Sequence, residues 1–311
     1  MSKKQLLYKL PRLTIAEPEA AVPPLPSVAD RGLHVWRDHD GTVAAYGYTM
    51  GGLHWMYLPG LASFCFGEDA DRVMAIPHGR AQEDLIRDAY HRNVLPMVLQ
   101  TRDREVLHAS AVLTPCGVVA LCAVSGTGKS TTAFALSRQG WPLWADDAVA
   151  FEISEAGPTA IPLPFGVRLL PEATAFFGRY RAAENRLPNR GARDRGVSKP
   201  APLAVLLVLD RIQGENSGEA AVPRIRRLPA NQAFLDVLAH AYCFDLQDTK
   251  RKRTMMRRYL DLVSRTPVFE VRFRAGVETL PVVLNGITQL LTNIERDVAD
   301  TTAHKRSDAQ R

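Results

Sequence analysis

The stretch VVALCAVSGTGKSTT, residues 118–132, decides how the rest of the chain is read. Val118–Cys122 is a continuous apolar run, the mark of a strand buried on both faces. SGTGKST follows, and Lys129 opens a run with helical character as far as Arg138. Gly126 and Gly128 can take backbone angles closed to other residues, so successive amides turn inward as an anion nest. The helix start adds free N–H groups and the positive end of its dipole. GTGKST is the second half of a Walker A motif in the strand–loop–helix setting the motif needs. Ser125, Gly126, Thr127, Gly128, Lys129, Ser130 and Thr131 are the expected phosphate-binding residues. Lys129 would reach the β- and γ-phosphates of ATP, and Ser130 would offer its hydroxyl to Mg²⁺. The full motif has glycine where Ala123 stands; if that position needs positive φ, alanine costs about 1–2 kcal/mol.

Downstream, Gly140 and Pro142 stop the helix, and PLWADD (142–147) reads as a short strand ending in two carboxylates. Neighbouring strand residues point to opposite faces, which gives Asp146 and Asp147 different roles. One can bind Mg²⁺, and the other can take a proton from an attacking hydroxyl. Upstream, LHASAVL (107–113) and the apolar run after TPCG form two strands joined by a turn. LAVLLVLD (203–210) is a further buried strand. Met256, Tyr259, Leu260 and Val263 fall at the spacing of one apolar helix face, and Ile287, Leu290, Leu291 and Ile294 repeat it.

Further out, residues from about Leu33 to Ile76 read as short strands broken by turns, with Asp40-Gly41 and Pro59-Gly60 at two of them. Residues 81–100 switch to helical spacing, with Leu85, Ala89 and Val94 on one side and Pro96 set against the helix. The expected organisation is α/β (α+β): a flexible arm (1–30), a β-rich N-terminal domain with a helix (31–100), a catalytic domain (101–297) and a disordered tail (298–311). Residues 179–199 are expected to be irregular and basic.

The 311 residues are 46% hydrophobic and 23% charged, those of an ordinary globular chain, and the net charge of +6 favours anionic partners without choosing among them. Cys65, Cys116, Cys122 and Cys243 have no zinc spacing, and two sit in or beside apolar strands as small buried thiols. No apolar run reaches the roughly 18 residues of a membrane span, and the N-terminus has no signal-peptide pattern. A cytoplasmic location is the expectation. The basic run KRKRTMMRR (250–258) has no aromatic residues interleaved to stack bases, so it reads as a solvated helix face rather than a nucleic-acid site.

LHASAV, SGTGKST, ADD and PFGVRL together resemble the catalytic domain of HPr kinase/phosphorylase and its kinase-like relatives, among them the tailoring kinases of lasso peptide biosynthesis. The similarity runs over roughly residues 100–290. It implies a phosphoenolpyruvate-carboxykinase-like P-loop kinase domain after a smaller β-rich domain, using ATP and Mg²⁺. It implies His108 as the family's histidine upstream of the loop, Asp146 as general base toward the acceptor and Asp147 on the magnesium side, with the reverse assignment open. In the family a mobile segment that encloses the phosphates stands where Arg190, Arg193 and Lys199 do, and any of them could stabilise the transferring group. Ala123 departs from the family's glycine, and PFGVRLLPEA replaces the signature of the bifunctional enzymes. The acceptor expected is a serine of a peptide or small protein, with a lasso-type precursor preferred. A small-molecule alcohol kinase and a non-catalytic ATP-binding regulator are the alternatives, and a homo-oligomer is compatible with either.

Overall fold

The computed structural model describes residues 10–17, 25, 32–37, 40–68, 71–164, 166–167, 169, 171–183, 199–212, 222–243 and 248–308. Arg190 and Arg193 lie outside them. The chain divides into two compact units, Met1–Val106 with Tyr242–Arg258, and Leu107–Ala241 with Tyr259–Arg311. The first unit therefore takes in a segment that the sequence reading gives to the later domain.

In the first unit, β1 (Arg12–Ile15), β2 (His34–Arg37), β3 (Val43–Met50), β4 (Leu53–Leu58), β5 (Ala62–Phe66) and β6 (Arg72–Pro77) form one sheet in the order β1-β6-β5-β4-β3-β2. The β1–β6 pair is parallel and the others antiparallel. Part of the expected flexible arm is thus an ordered edge strand. At the β2–β3 turn the Asp40 carboxylate accepts the Thr42 amide at 2.9 Å, and Gly41 takes φ +85°.

Helix α1 (Glu83–Ala89) widens into a π-helical turn (Tyr90–Val94) before α2 (Leu95–Thr101). Pro96 falls in the first turn of α2, where its missing N–H costs nothing, and so the helical run survives it. The buried side is Ile86, Ala89, Tyr90 and Val94, so Ala89 and Val94 of the expected face are buried and Leu85, 53% exposed, is not. Glu105 is fully buried and takes two 2.8 Å hydrogen bonds from the Arg251 guanidinium and a longer one from Arg258. Two cations of the basic run are thereby committed to one buried carboxylate, which would be costly to leave unpaired.

Strand β7 (Glu105–Leu107) carries the chain into the second unit. There β8 (Ala109–Thr114) and β9 (Gly117–Cys122) form a hairpin, followed by α3 (Lys129–Arg138), β10 (Leu143–Ala145), β11 (Val149–Ser154), β12 (Gly157–Ile161) and α4 (Pro171–Ala183). Residues 179–183 thus belong to a helix, where irregular chain is the expectation. Next come β13 (Ala201–Ile212), β14 (Arg224–Arg227) and α5 (Ala230–Leu238), then α6 (Thr249–Arg265), which begins in the first unit and ends in the second, β15 (Val268–Arg274) and α7 (Leu280–Asp308). Helix α7 runs through most of the tail expected to be disordered. On α6 the buried positions are Met255, Tyr259, Leu262 and Val263, while Met256 and Leu260 are exposed.

Strand β8 lies antiparallel between β10 and β9, and β9, β13 and β15 run parallel. The start of β13 pairs with β12, itself antiparallel to β11, and β14 pairs antiparallel with Phe269–Arg272 of β15. One consequence decides the site: the carboxyl ends of β9, β10, β13 and β15 share an edge with the amino end of β8. In open α/β sheets ligands bind at such an edge. Val119, Leu121, Val205, Leu207, Leu209 and Val271 pack one face of this sheet against α3 and α7. Gly117 is held to glycine because a Cβ there would lie 2.4 Å from the Pro202 carbonyl oxygen.

Candidate functional site

The glycine loop leaves the carboxyl end of β9 and enters α3 without a side-chain cap. Gly126 and Gly128 take φ of +80° and +114°, as their places in the motif require. Ala123 is buried and is not among the residues with positive φ, so alanine carries no backbone penalty there. The Thr127 amide closes a turn on the Val124 carbonyl at 3.2 Å, and the first helical bond runs from Thr132 to Gly128 at 2.8 Å. Amides earlier in that helix have no intrahelical acceptor and are left for a ligand.

The Lys129 ammonium, on a residue only 6% exposed, donates to the Ala123 carbonyl at 2.9 Å and so braces the loop. Burial holds its pKa below the usual lysine range. Asp146 and Asp147 are not on a strand: they form the bend between β10 and β11. The alternation expected from a strand therefore does not separate them; the left-handed turn at Asp147, φ +67°, does. Asp146 is buried and accepts the Ser110 hydroxyl at 2.7 Å, and Ser110 Oγ is 3.4 Å from Ser130 Oγ. Ser110 thus links the second carboxyl-end loop to the first. It was not expected as a site residue, though it is a fully buried hydroxyl between Ala109 and Ala111 in β8.

His108, just before β8, contacts the Asp147 carbonyl through Nδ1 at 3.1 Å. A carbonyl only accepts, so Nδ1 carries the proton and Nε2 is bare in the neutral ring. The His108 amide donates to the His240 carbonyl at 2.7 Å. Burial, reinforced by the positive charge of Lys129, pushes both imidazoles down to about 4. No sequence signal pairs His240, just past α5, with His108; only the fold does. Lys199 is exposed just before β13 and is not among the residues gathered here.

Half-buried imidazoles held neutral should make the unit acid-labile. Between about pH 6.5 and 4 the unfolded chain binds protons that the folded rings refuse, so stability rises with pH across that window. Unfolding free energy should fall by up to about 1.4 kcal/mol per pH unit for each ring as pH drops. Thermal unfolding at pH 7, 6 and 5 measures this, and a His108→Gln/His240→Gln variant should have a flatter profile. An unchanged slope in that variant would assign the acid sensitivity to other groups.

The hydroxyls of Ser130 and Ser110 and the Asp146 carboxylate are hard oxygen donors of the kind Mg²⁺ takes, with phosphate oxygens and water completing its shell. Among the described residues no cluster of three or more His, Cys, Asp and Glu side chains could hold a metal without such help. A larger cavity, about 660 Å³, opens at the amino end of β15 between Leu228, Ala233, Val263 and Thr266, at the opposite end of that strand from the loop. It contains neither carboxylate nor histidine.

Fold and site together define a mixed α/β chain with a glycine loop between a buried strand and a helix. No family model and no curated protein matches it. Among solved structures it is similar to the HPr(Ser) kinase/phosphatase from Coxiella burnetii, at 11% identity over 64% of this chain and 96% of that one, with a TM-score of 0.32. A likeness that slight carries no argument about function. Among the described residues no helix is long and apolar enough to cross a membrane.

Proposed function

We propose that the chain is an ATP- and magnesium-dependent kinase that transfers the γ-phosphate to a hydroxyl, with a serine of a peptide or small protein as acceptor. The observation that carries this is the link from Ser130 through Ser110 to Asp146, which brings a carboxylate to a glycine loop already holding a buried ammonium. Phosphoryl transfer asks a protein mainly for charge neutralisation and in-line positioning.

In this reading the loop amides and Lys129 bind the β- and γ-phosphates. Ser130 and Asp146 would hold Mg²⁺, which supplies further neutralisation of charge on the phosphate oxygens. Asp147, less buried and set apart by its left-handed turn, takes the proton of the acceptor hydroxyl as its oxygen bonds to phosphorus and the bond to the β,γ-bridging oxygen breaks, releasing ADP. This exchanges the roles expected for the two aspartates. His108 is a positioning residue that fixes the carbonyl of the Asp147 turn. The resemblance of LHASAV, SGTGKST and ADD to the lasso tailoring kinases supports a peptide serine, with a lasso-type precursor as the preferred acceptor.

Labelled ATP offered with serine-containing peptides, a lasso-type precursor among them, and with a panel of small alcohols tests the reading. Label should pass to peptide serine. Transfer only to a small alcohol would keep the kinase and discard the peptide; binding without transfer to any acceptor would make the chain a nucleotide-binding regulator.

A further inference from the structure

We infer that the nucleoside part of the nucleotide lies in the cleft bounded by Thr131, Arg211 and Phe273, on the side of the glycine loop away from Asp146. The inference rests on the reading of the loop as a triphosphate site and adds where the rest of the ligand goes. A triphosphate has a direction. Ser130 is tied through Ser110 to Asp146, so that side of the loop receives the reacting γ-phosphate. The α-phosphate and the nucleoside must then leave past the other side, where a cleft lies against Thr127 and Thr131 with Glu172 and Gly276 at its rim.

The floor of that cleft follows from strand alternation. Val205, Leu207 and Leu209 on β13 and Val271 on β15 point into the core under α3 and α7. The next residues on the same face are Arg211 and Phe273, direct partners in the parallel register. Beyond the last aliphatic layer the sheet therefore ends in a cation beside an aromatic ring. The ring is half-buried against the core and the guanidinium is exposed. The adjacent charge, Asp210, points to the opposite face and is satisfied by Arg272 at 2.7 Å. Among the described residues Arg211 has no ion-pair partner. A ring and a guanidinium side by side offer a base the stacking and cation–π contacts that bind nucleobases without reading their edges.

The test compares binding of Mg·ATP and Mg·tripolyphosphate by calorimetry on the full chain, with Phe273→Ala and Arg211→Gln. Tripolyphosphate carries the phosphates without the nucleoside. Wild-type protein should bind ATP more tightly than tripolyphosphate. Phe273→Ala should weaken ATP about ten-fold or more, and Arg211→Gln several-fold, while tripolyphosphate affinity stays within about two-fold. Arg211→Gln is the control for folding, because its side chain is exposed and supports no core contact. Equal affinities of the wild type for the two ligands, or an unchanged ATP affinity in Arg211→Gln and a folded Phe273→Ala, would overturn the cleft and leave the loop. If the wild type binds neither ligand, the loop reading falls and the cleft with it.

Discussion

Lys129→Ala should reduce the kcat/KM for ATP-dependent transfer by about 10²–10³-fold, equivalent to roughly 3–4 kcal/mol of lost charge stabilisation. The ammonium is buried and already partly desolvated, which is why its pKa is lowered by burial. A charge in that state interacts with phosphate more strongly than an exposed lysine does. Among the described residues it is held at the loop by one carbonyl, Ala123 O at 2.9 Å, an acceptor that phosphate oxygens can replace. Lys129→Arg should not rescue transfer, because a planar fork does not fit where a compact ammonium sits. The alanine variant leaves one buried carbonyl without its donor, worth about 1–3 kcal/mol, so thermal unfolding run beside the transfer assay separates a lost site from a lost fold. Wild-type turnover in a folded Lys129→Ala protein would remove the loop from the mechanism.

The parts of this site legible from sequence are those where one residue type answers one backbone demand. Gly126 and Gly128 are such residues, and both have the positive φ that their places in the motif require. Ala123 shows the limit of that logic: the motif asks for glycine there, yet its backbone needs none. The placing of the aspartate pair beside the loop was legible and its local geometry was not, because PLWADD does not reveal that the strand stops at Ala145 and the acids form a bend. Ser110 and His240 depend on pairings between distant segments that no local pattern encodes.

Helix faces were legible in part: on α7 Ile287 and Leu291 are buried with Leu290 and Ile294 packed beside them, whereas the faces of α1 and α6 are only partly those expected. Residues 255–263 contain two overlapping apolar stripes, one through Met255, Tyr259 and Leu262 and one through Met256, Tyr259, Leu260 and Val263. A 3.6-residue period permits either. Packing buries Met255 and Leu262 in place of Met256 and Leu260 and Ile86 in place of Leu85, while Tyr259, Val263, Ala89 and Val94 are buried as expected. Periodicity identifies a helix more securely than it identifies the side that turns inward.

The aspartates give the second large effect, and they should fail differently. Asp147→Asn should bind Mg·ATP with near wild-type affinity and lose about 10²–10⁴-fold in kcat, the usual contribution of a positioned base. Asp146→Asn should instead raise the Mg²⁺ concentration needed for half-maximal rate, because the substitution removes the buried negative charge beside Ser130 while an amide oxygen can still accept the Ser110 hydroxyl. Ser110→Ala separates charge from positioning: it deletes the donor at 2.7 Å and leaves the carboxylate, so it should shift Mg²⁺ dependence in the same direction by a smaller factor. Titrating Mg²⁺ at saturating ATP and measuring nucleotide affinity separately distinguishes the three. If Asp146→Asn keeps its Mg²⁺ dependence and loses only kcat, the base is the buried carboxylate and the roles return to those the resemblance implies. The outcome turns on burial: a buried carboxylate joined to Ser130 through Ser110 is placed to share a cation, whereas one at a half-buried left-handed turn can meet an acceptor arriving from solvent.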